Sequence, residues 1–299
     1  MRLVPSSSPS LRNQAALVLL LALAPLACSV AWAADEAGES LRPPSETTGV
    51  LIPGRTAGRN WDASIGLVGS YAPEYAGAER SRFRVGPGFY LRWGRFSFAT
   101  RSGFATRSAE PGARGGLRID LSPNDRWRVG LGLRYDFGRQ EASSDALRGL
   151  GNVPSTLRVR LGTSYRLDDG WSVGGSLTVD AFGRGGGNQG DVSMGKAWAL
   201  TPATSLAAGF GLGFAGDRYM QSYFGVTPAQ AARTGYPVFE PRSGLRDVSL
   251  SVSGRTELAH PWALFYGASA SRLLGPAAAS PLTRQPGSWG VNAGVVYRF

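Results

Sequence analysis

The chain of 299 residues is short of the groups that most enzyme and metal sites need: it has one cysteine, one histidine and, in Lys196, a single lysine. Cys28 lies in an N-terminal apolar run expected to be removed on export, so the mature chain has no disulfide or thiol chemistry. With His260 as the lone histidine there is no conventional catalytic triad and no His/Cys zinc cluster. Paired acids such as Asp168-Asp169 belong to turns, where they favour the backbone geometry. No Walker-type or dinucleotide loop is present, because the GRGGG of Gly183 to Gly187 lies between strands with no helix pattern after it. The expectation is a protein that is not an enzyme and takes no cofactor or metal. A lipid-active enzyme using His260 is a third-ranked reading, which His260→Ala should inactivate.

Arg2 and Arg12 precede the apolar run Ala15 to Ala33, which Pro25 interrupts and which ends in Ala31-Trp32-Ala33, a small-x-small cleavage motif. A signal peptide over 1–33 is expected, in preference to a membrane anchor or to a lipoprotein at Cys28, where Pro25 occupies the place a lipobox gives to leucine. Cleavage removes two arginines and no acids, lowering the formal charge from +11 to +9. A basic exported chain suits anionic lipid head groups, anionic solutes or a polyanionic polymer. Nucleic acid is a poor partner for an exported chain with no basic block.

After the signal no hydrophobic run is long enough for a helical span. Residues 34–60, rich in Pro, Gly, Ser and Glu and without periodicity, read as a flexible periplasmic leader. From 61 to 299 the sequence alternates with a period of two in twelve segments: 61–71, 83–93, 96–105, 115–121, 127–137, 155–167, 171–182, 190–200, 204–214, 245–258, 262–273 and 289–299. Glycine, at 42 residues, recurs singly inside these segments, as a crowded barrel interior requires. Connections from even to odd strands are tight turns, such as Gly94-Arg95 and Asp168-Asp-Gly170. Those from odd to even strands are generally longer. This is the pattern of an all-β, twelve-stranded antiparallel transmembrane β-barrel of the outer-membrane type, with short periplasmic turns and longer extracellular loops. Its location is the outer membrane of a Gram-negative bacterium, with both termini periplasmic and membrane lipid as its surroundings.

Tryptophan supplies a check, since aromatic side chains gather at membrane interfaces. Of the eight tryptophans, Trp32 leaves with the signal, and Trp61, Trp93, Trp127, Trp171, Trp198 and Trp262 fall at turn-side strand ends. Trp289 falls at the other end.

Energy decides which face meets lipid, because an arginine near the bilayer midplane costs roughly 2–4 kcal/mol on the lipid face. Arg84, Arg92, Arg118, Arg128, Arg134, Arg158, Arg160 and Arg166 therefore point inward and form a basic wall along strands two to six. The wall is either an anion-selective lumen or ligand site, or one side of a space-filling network with Asp120, Asp136, Asp180, Asp247 and Glu257. The network is favoured, because a twelve-stranded barrel is narrow enough for long side chains to occlude. Lys196 departs from the pattern by sharing the apolar face of Val192, Met194 and Trp198, so either a bulge intervenes or the lysine snorkels.

In the longest loop, 215–244, Thr227-Pro-Ala-Gln230 has the signature of a capped helix start, with Gly235 as its stop. Ahead of it Tyr219, Met220, Tyr223 and Phe224 form an apolar cluster too large to leave in water, so the loop should fold over or into the barrel mouth. It is a lid, a gate or a partner surface. The last strand, Trp289 to Phe299, must pair with the first for closure, and its Tyr297 and Phe299 are candidate signals for the barrel-assembly machinery.

Several segments resemble the MipA/OmpV family of outer-membrane proteins: Pro73-Glu-Tyr-Ala-Gly77, Tyr219-Met-Gln-Ser-Tyr-Phe-Gly-Val-Thr227, Ser280-Pro-Leu-Thr283 and Tyr297-Arg-Phe299. Ala78 stands where that pattern usually has serine. The resemblance implies a non-enzymatic barrel acting as a scaffold that brings a murein transglycosylase and a murein synthase together, with some members serving as adhesins or antigens. If so, the leader 34–60 and turns such as 122–126 are the segments facing those enzymes.

Overall fold

The computed structural model describes residues 61–100, 116–122, 124 and 126–299. The signal segment, the leader and the whole of loop 106–114 with its flanks 101–105 and 115 lie outside the described residues. Twelve strands form one closed barrel: β1 Trp61–Pro73, β2 Ser81–Trp93, β3 Phe96–Ala99, β4 Gly116–Asp120, β5 Trp127–Asp136, β6 Thr156–Arg166, β7 Trp171–Asp180, β8 Asn188–Ala199, β9 Thr204–Ala215, β10 Gly244–Glu257, β11 Trp262–Leu273 and β12 Gly287–Arg298. Every strand is antiparallel to its neighbours in sequence, and β12 returns to β1 in a register running from Ser64↔Arg298 to Tyr71↔Val291. Closure pairs every strand with two neighbours, and pairing of backbone groups is what lets strands stand in hydrocarbon.

The period-two pattern becomes two faces. Leu67, Phe83, Leu161, Leu177, Leu250 and Trp289 are exposed on the outer surface, an inversion of the water-soluble rule that lipid permits. At the turn end the tryptophans sit where aromatic belts form. Trp61 is paired with Trp93, and Trp262 packs edge-on against Tyr297, their ring centroids 5.3 Å apart. At the loop end Trp289 lies 5.5 Å from Tyr71.

Lys196 resolves as a snorkelling side chain. The pairing of β8 with both neighbours runs without a register shift, and the Lys196 ammonium sits 5.1 Å from the Trp171 ring centroid at the turn rim. Cation–π attraction there replaces part of the lost hydration. A register shift does occur elsewhere, between Leu245 and Asp247 where β10 meets β9. That bulge places two successive residues, Arg246 and Asp247, in buried positions, which regular alternation forbids.

Candidate functional site: the plugged barrel mouth

The long loop carries two helices, α1 Asp217–Phe224 and α2 Pro228–Thr234, and a single turn, α3 Gly275–Ala278, follows β11. Helix α2 begins as the sequence signature requires. Gln230 N donates to Thr227 Oγ1 at 3.3 Å, Thr227 N donates to Gln230 Oε1 at 2.8 Å, and Gly235 ends the helix with φ 73°. Helix α1 turns the apolar cluster into a packed face, for Tyr219, Met220, Tyr223 and Phe224 are all buried on it. They pack with Val153, Ala215, Leu273 and Ala277. Burial of side chains this size contributes roughly 1.5–3 kcal/mol each. The loop thus folds into the mouth, and α1 acts as a plug.

Glycine makes the entry possible. A Cβ on Gly187, whose φ is +58°, would stand 2.3 Å from the Tyr219 nitrogen. The GRGGG segment is therefore a seat for the start of α1, a role that no phosphate-loop comparison suggests.

Below the plug the arginines hold it. The Tyr219 ring stacks on Tyr223 at 4.5 Å, and it lies 5.7 Å from the Arg158 guanidinium and 5.5 Å from that of Arg246. Arg158 is ion-paired with the buried Asp136 and donates to the Tyr223 hydroxyl at 3.4 Å. Arg246 pairs with Asp247, donates to Gln189 and reaches Asp191 at 3.8 Å. Arg160 lies 3.6 Å from the same Asp191. From the loop side Arg139 donates to the Tyr223 carbonyl at 3.1 Å.

Arg84, Arg92, Arg118, Arg128, Arg134, Arg160 and Arg166 occupy the inner-face strand positions, half-buried, and Arg158 is buried. Room for them comes from glycines on neighbouring strands: the Arg118 guanidinium passes 2.7 Å from where a Cβ on Gly130 would stand. Of the acids expected to face them, Asp136, Asp247 and Glu257 each hold an arginine. Asp180 accepts from the Thr156 hydroxyl and from the Phe182 and Gly186 amides. Asp120 accepts from Ser122.

Near the turn end the interior holds a second knot, absent from the sequence reading. Glu257 binds both Arg255 and Arg298, Arg255 lies 5.8 Å from the Phe265 ring, and Tyr90, Ala99, Ala263, Phe265 and Val296 pack together. Arg255 and Arg298 share strand parity with known inward positions, so that signal was available. Arg246 gave none, since only the bulge turns it inward. His260 is exposed in the turn between β10 and β11, and Phe299, its ring 5.1 Å from Tyr297, continues the turn-rim aromatic row. Among the described residues no cluster of three or more His, Cys, Asp or Glu has a metal-holding arrangement.

The loops above the plug form one cap. Tyr75 OH donates to the Leu282 carbonyl at 3.1 Å, and Ser280 Oγ donates to the Phe224 carbonyl at 2.6 Å. Arg284 N and Gln285 N donate to the Gly77 carbonyl at 2.8 and 3.0 Å. Tyr75, Ala78, Leu147, Leu150, Val226 and Leu282 share one buried cluster. Burial raises the Tyr75 phenol to about 12, with the neighbouring Tyr236 adding to the effect. The segments 73–77, 219–227 and 280–283, far apart in sequence, converge here.

No curated protein matches the chain. Among solved structures it is similar to OprB of Pseudomonas putida at high pH, with 10% identity over 80% of this chain and 94% of that one and a TM-score of 0.39. It is also similar to the outer membrane channel DcaP of Acinetobacter baumannii (10% identity, 80% and 96% covered, TM-score 0.36). A third is an anion-selective porin from Comamonas acidovorans (10% identity, 80% and 98% covered, TM-score 0.36). The family described as "MltA-interacting protein MipA" matches residues 65–299. With all of its strands but the first four residues of β1, its plug and its cap inside that match, this barrel belongs to the MipA family.

Proposed function

We propose that the chain is a non-enzymatic scaffold of the outer membrane that links a murein hydrolase to a murein synthase, exported by a cleaved signal over 1–33 and inserted with both termini periplasmic. The observation that carries this reading is the pair of obstructions inside the barrel: α1 is clamped by Arg158 and Arg246 at the loop end, and Glu257 is knotted to Arg255 and Arg298 near the turn end. A lumen obstructed near both ends by its own side chains suits a protein that works through its surfaces. The family description, "MltA-interacting", supplies the partner class, a lytic transglycosylase. Such enzymes act in the periplasm, so the leader and the tight turns carry the contact, while Tyr297 and Phe299 serve the assembly machinery. Deleting residues 36–58 with export preserved should abolish capture of a purified lytic transglycosylase; undiminished capture overturns the assignment of the contact to the leader.

A second reading, a channel for small anionic solutes, draws on the inward arginines along β2 to β6. Planar-bilayer recording separates the two. Anion-selective steps that weaken on replacing Arg128 and Arg160 favour the channel, and silence favours the scaffold.

A further inference from the structure

The outer face of the strands is almost free of charge. Among the described strand residues its exceptions are Lys196, held over Trp171 at the turn rim, and Arg272 on β11. Ser271, the preceding residue, bonds its cross-strand neighbour Ser288 at 2.9 Å on the inner face, so Arg272 points outward, and it is exposed. Arg272 lies ten residues along β11 from the turn-rim Trp262. For a tilted strand that distance matches the height of an apolar band of about 25 Å. The two cations therefore mark the two membrane interfaces.

They differ in how they are satisfied. Lys196 has an aromatic ring, whereas among the described residues Arg272 has no carboxylate and no side-chain hydrogen-bond partner. Its cross-strand neighbours are Val248 and Gly287, which leave the guanidinium open to the membrane surface. Toward the membrane centre the next rows read Leu250–Ala270–Trp289 and Val252–Ala268–Val291. Leu250 and Trp289 are 60% and 58% exposed. Two alanines between large flanking side chains make a trough, with the arginine at its head.

We infer that this trough with Arg272 is a binding site for one anionic lipid, its acyl chain lying along Ala268 and Ala270 and its phosphate taken by the Arg272 guanidinium. Arginine suits that head group because its planar fork matches two phosphate oxygens at once. Charge complementarity selects a lipid of net negative charge over a zwitterionic one, whose choline offsets its phosphate and repels the guanidinium.

The test uses the folded barrel in detergent, titrated with phosphatidylglycerol and followed by native mass spectrometry, with refolding of each variant verified by heat-shifted gel mobility. Wild type should retain one tightly held phosphatidylglycerol. Arg272→Gln should retain it about tenfold more weakly, the loss of a charge-assisted contact, and Arg272→Lys should recover part of it. Ala270→Phe, which keeps the charge and fills the trough, should weaken it comparably, and Lys196→Gln should not. Phosphatidylcholine should bind poorly, and inorganic phosphate should not displace the lipid. Equal retention by wild type and Arg272→Gln, undiminished retention by Ala270→Phe, equal binding of the two lipids, or displacement by phosphate alone would each overturn the inference. The result is independent of whether the barrel scaffolds or conducts.

Discussion

The Arg246 guanidinium lies 5.5 Å from the centre of the Tyr219 ring, and the two reach each other through opposite irregularities. A bulge turns Arg246 into the barrel, and a helix carries Tyr219 down to it. Arg158 lies 5.7 Å from the same ring, so two cations that the barrel wall itself anchors reach it.

The clamp makes Tyr219 the side chain on which the plug depends most. Tyr219→Ala removes a buried ring and two cation–π contacts, and should cost about 3 kcal/mol or more in urea unfolding followed by gel mobility. Tyr219→Phe keeps the ring and should cost under about 1 kcal/mol. Equal losses would show that the hydroxyl, not the ring, holds the plug.

Arg158 and Asp136 should behave as a unit. Both are buried and ion-paired, so Arg158→Leu alone leaves a buried carboxylate and should destabilise by roughly 3–5 kcal/mol. The double change Arg158→Leu with Asp136→Leu should recover most of that loss. A double-mutant cycle measures the coupling, and additive effects would mean that the pair is not energetically linked.

Much of this was legible from residues because the bilayer enforces a strict rule. Twelve strands, their turns and the inward arginines all follow from alternation together with the cost of charge in lipid. Helix α2 was legible because Thr227, Pro228, Gln230 and Gly235 are local signals. Helix α1 was not, because its apolar residues are fixed by what they plug rather than by any cap: its N-cap Gly216 provides no side-chain bond. Arg246 was hidden because alternation assigns it outward, and a bulge is set by tertiary contacts. The convergence of 73–77 with 280–283 was equally silent, being a meeting of loops some two hundred residues apart.

That meeting point rests on Gly77. Its φ is +91°, and an added Cβ would stand 2.9 Å from Thr283 Oγ1. Its carbonyl also receives the Arg284 and Gln285 amides. Gly77→Ala should therefore strain the backbone and push the last loop away, at a cost of roughly 1–3 kcal/mol. The loss should be local. Limited proteolysis should nick the cap faster while the barrel's unfolding midpoint moves little, and a large shift in that midpoint would mean that the cap and the wall unfold together.

Tyr75 gives the cap a dependence on alkaline pH whose direction is fixed. Its phenol is raised to about 12 in the folded cap, against about 10 in an unfolded chain. Below pH 10 both states keep the proton, so Tyr75 contributes no slope. Between about pH 10 and 12 the unfolded state releases the proton while the folded state retains it, so stability falls as pH rises through that window. Above it both are ionised and the slope vanishes. Tyr75→Phe should lose the bond to the Leu282 carbonyl, costing about 1 kcal/mol at neutral pH, yet it should flatten the alkaline decline. Absorbance titration at alkaline pH should show one fewer late-titrating tyrosine in the variant than in wild type. If the decline keeps its steepness in Tyr75→Phe, another group carries it, and burial of Tyr75 is not what makes the cap alkali-sensitive.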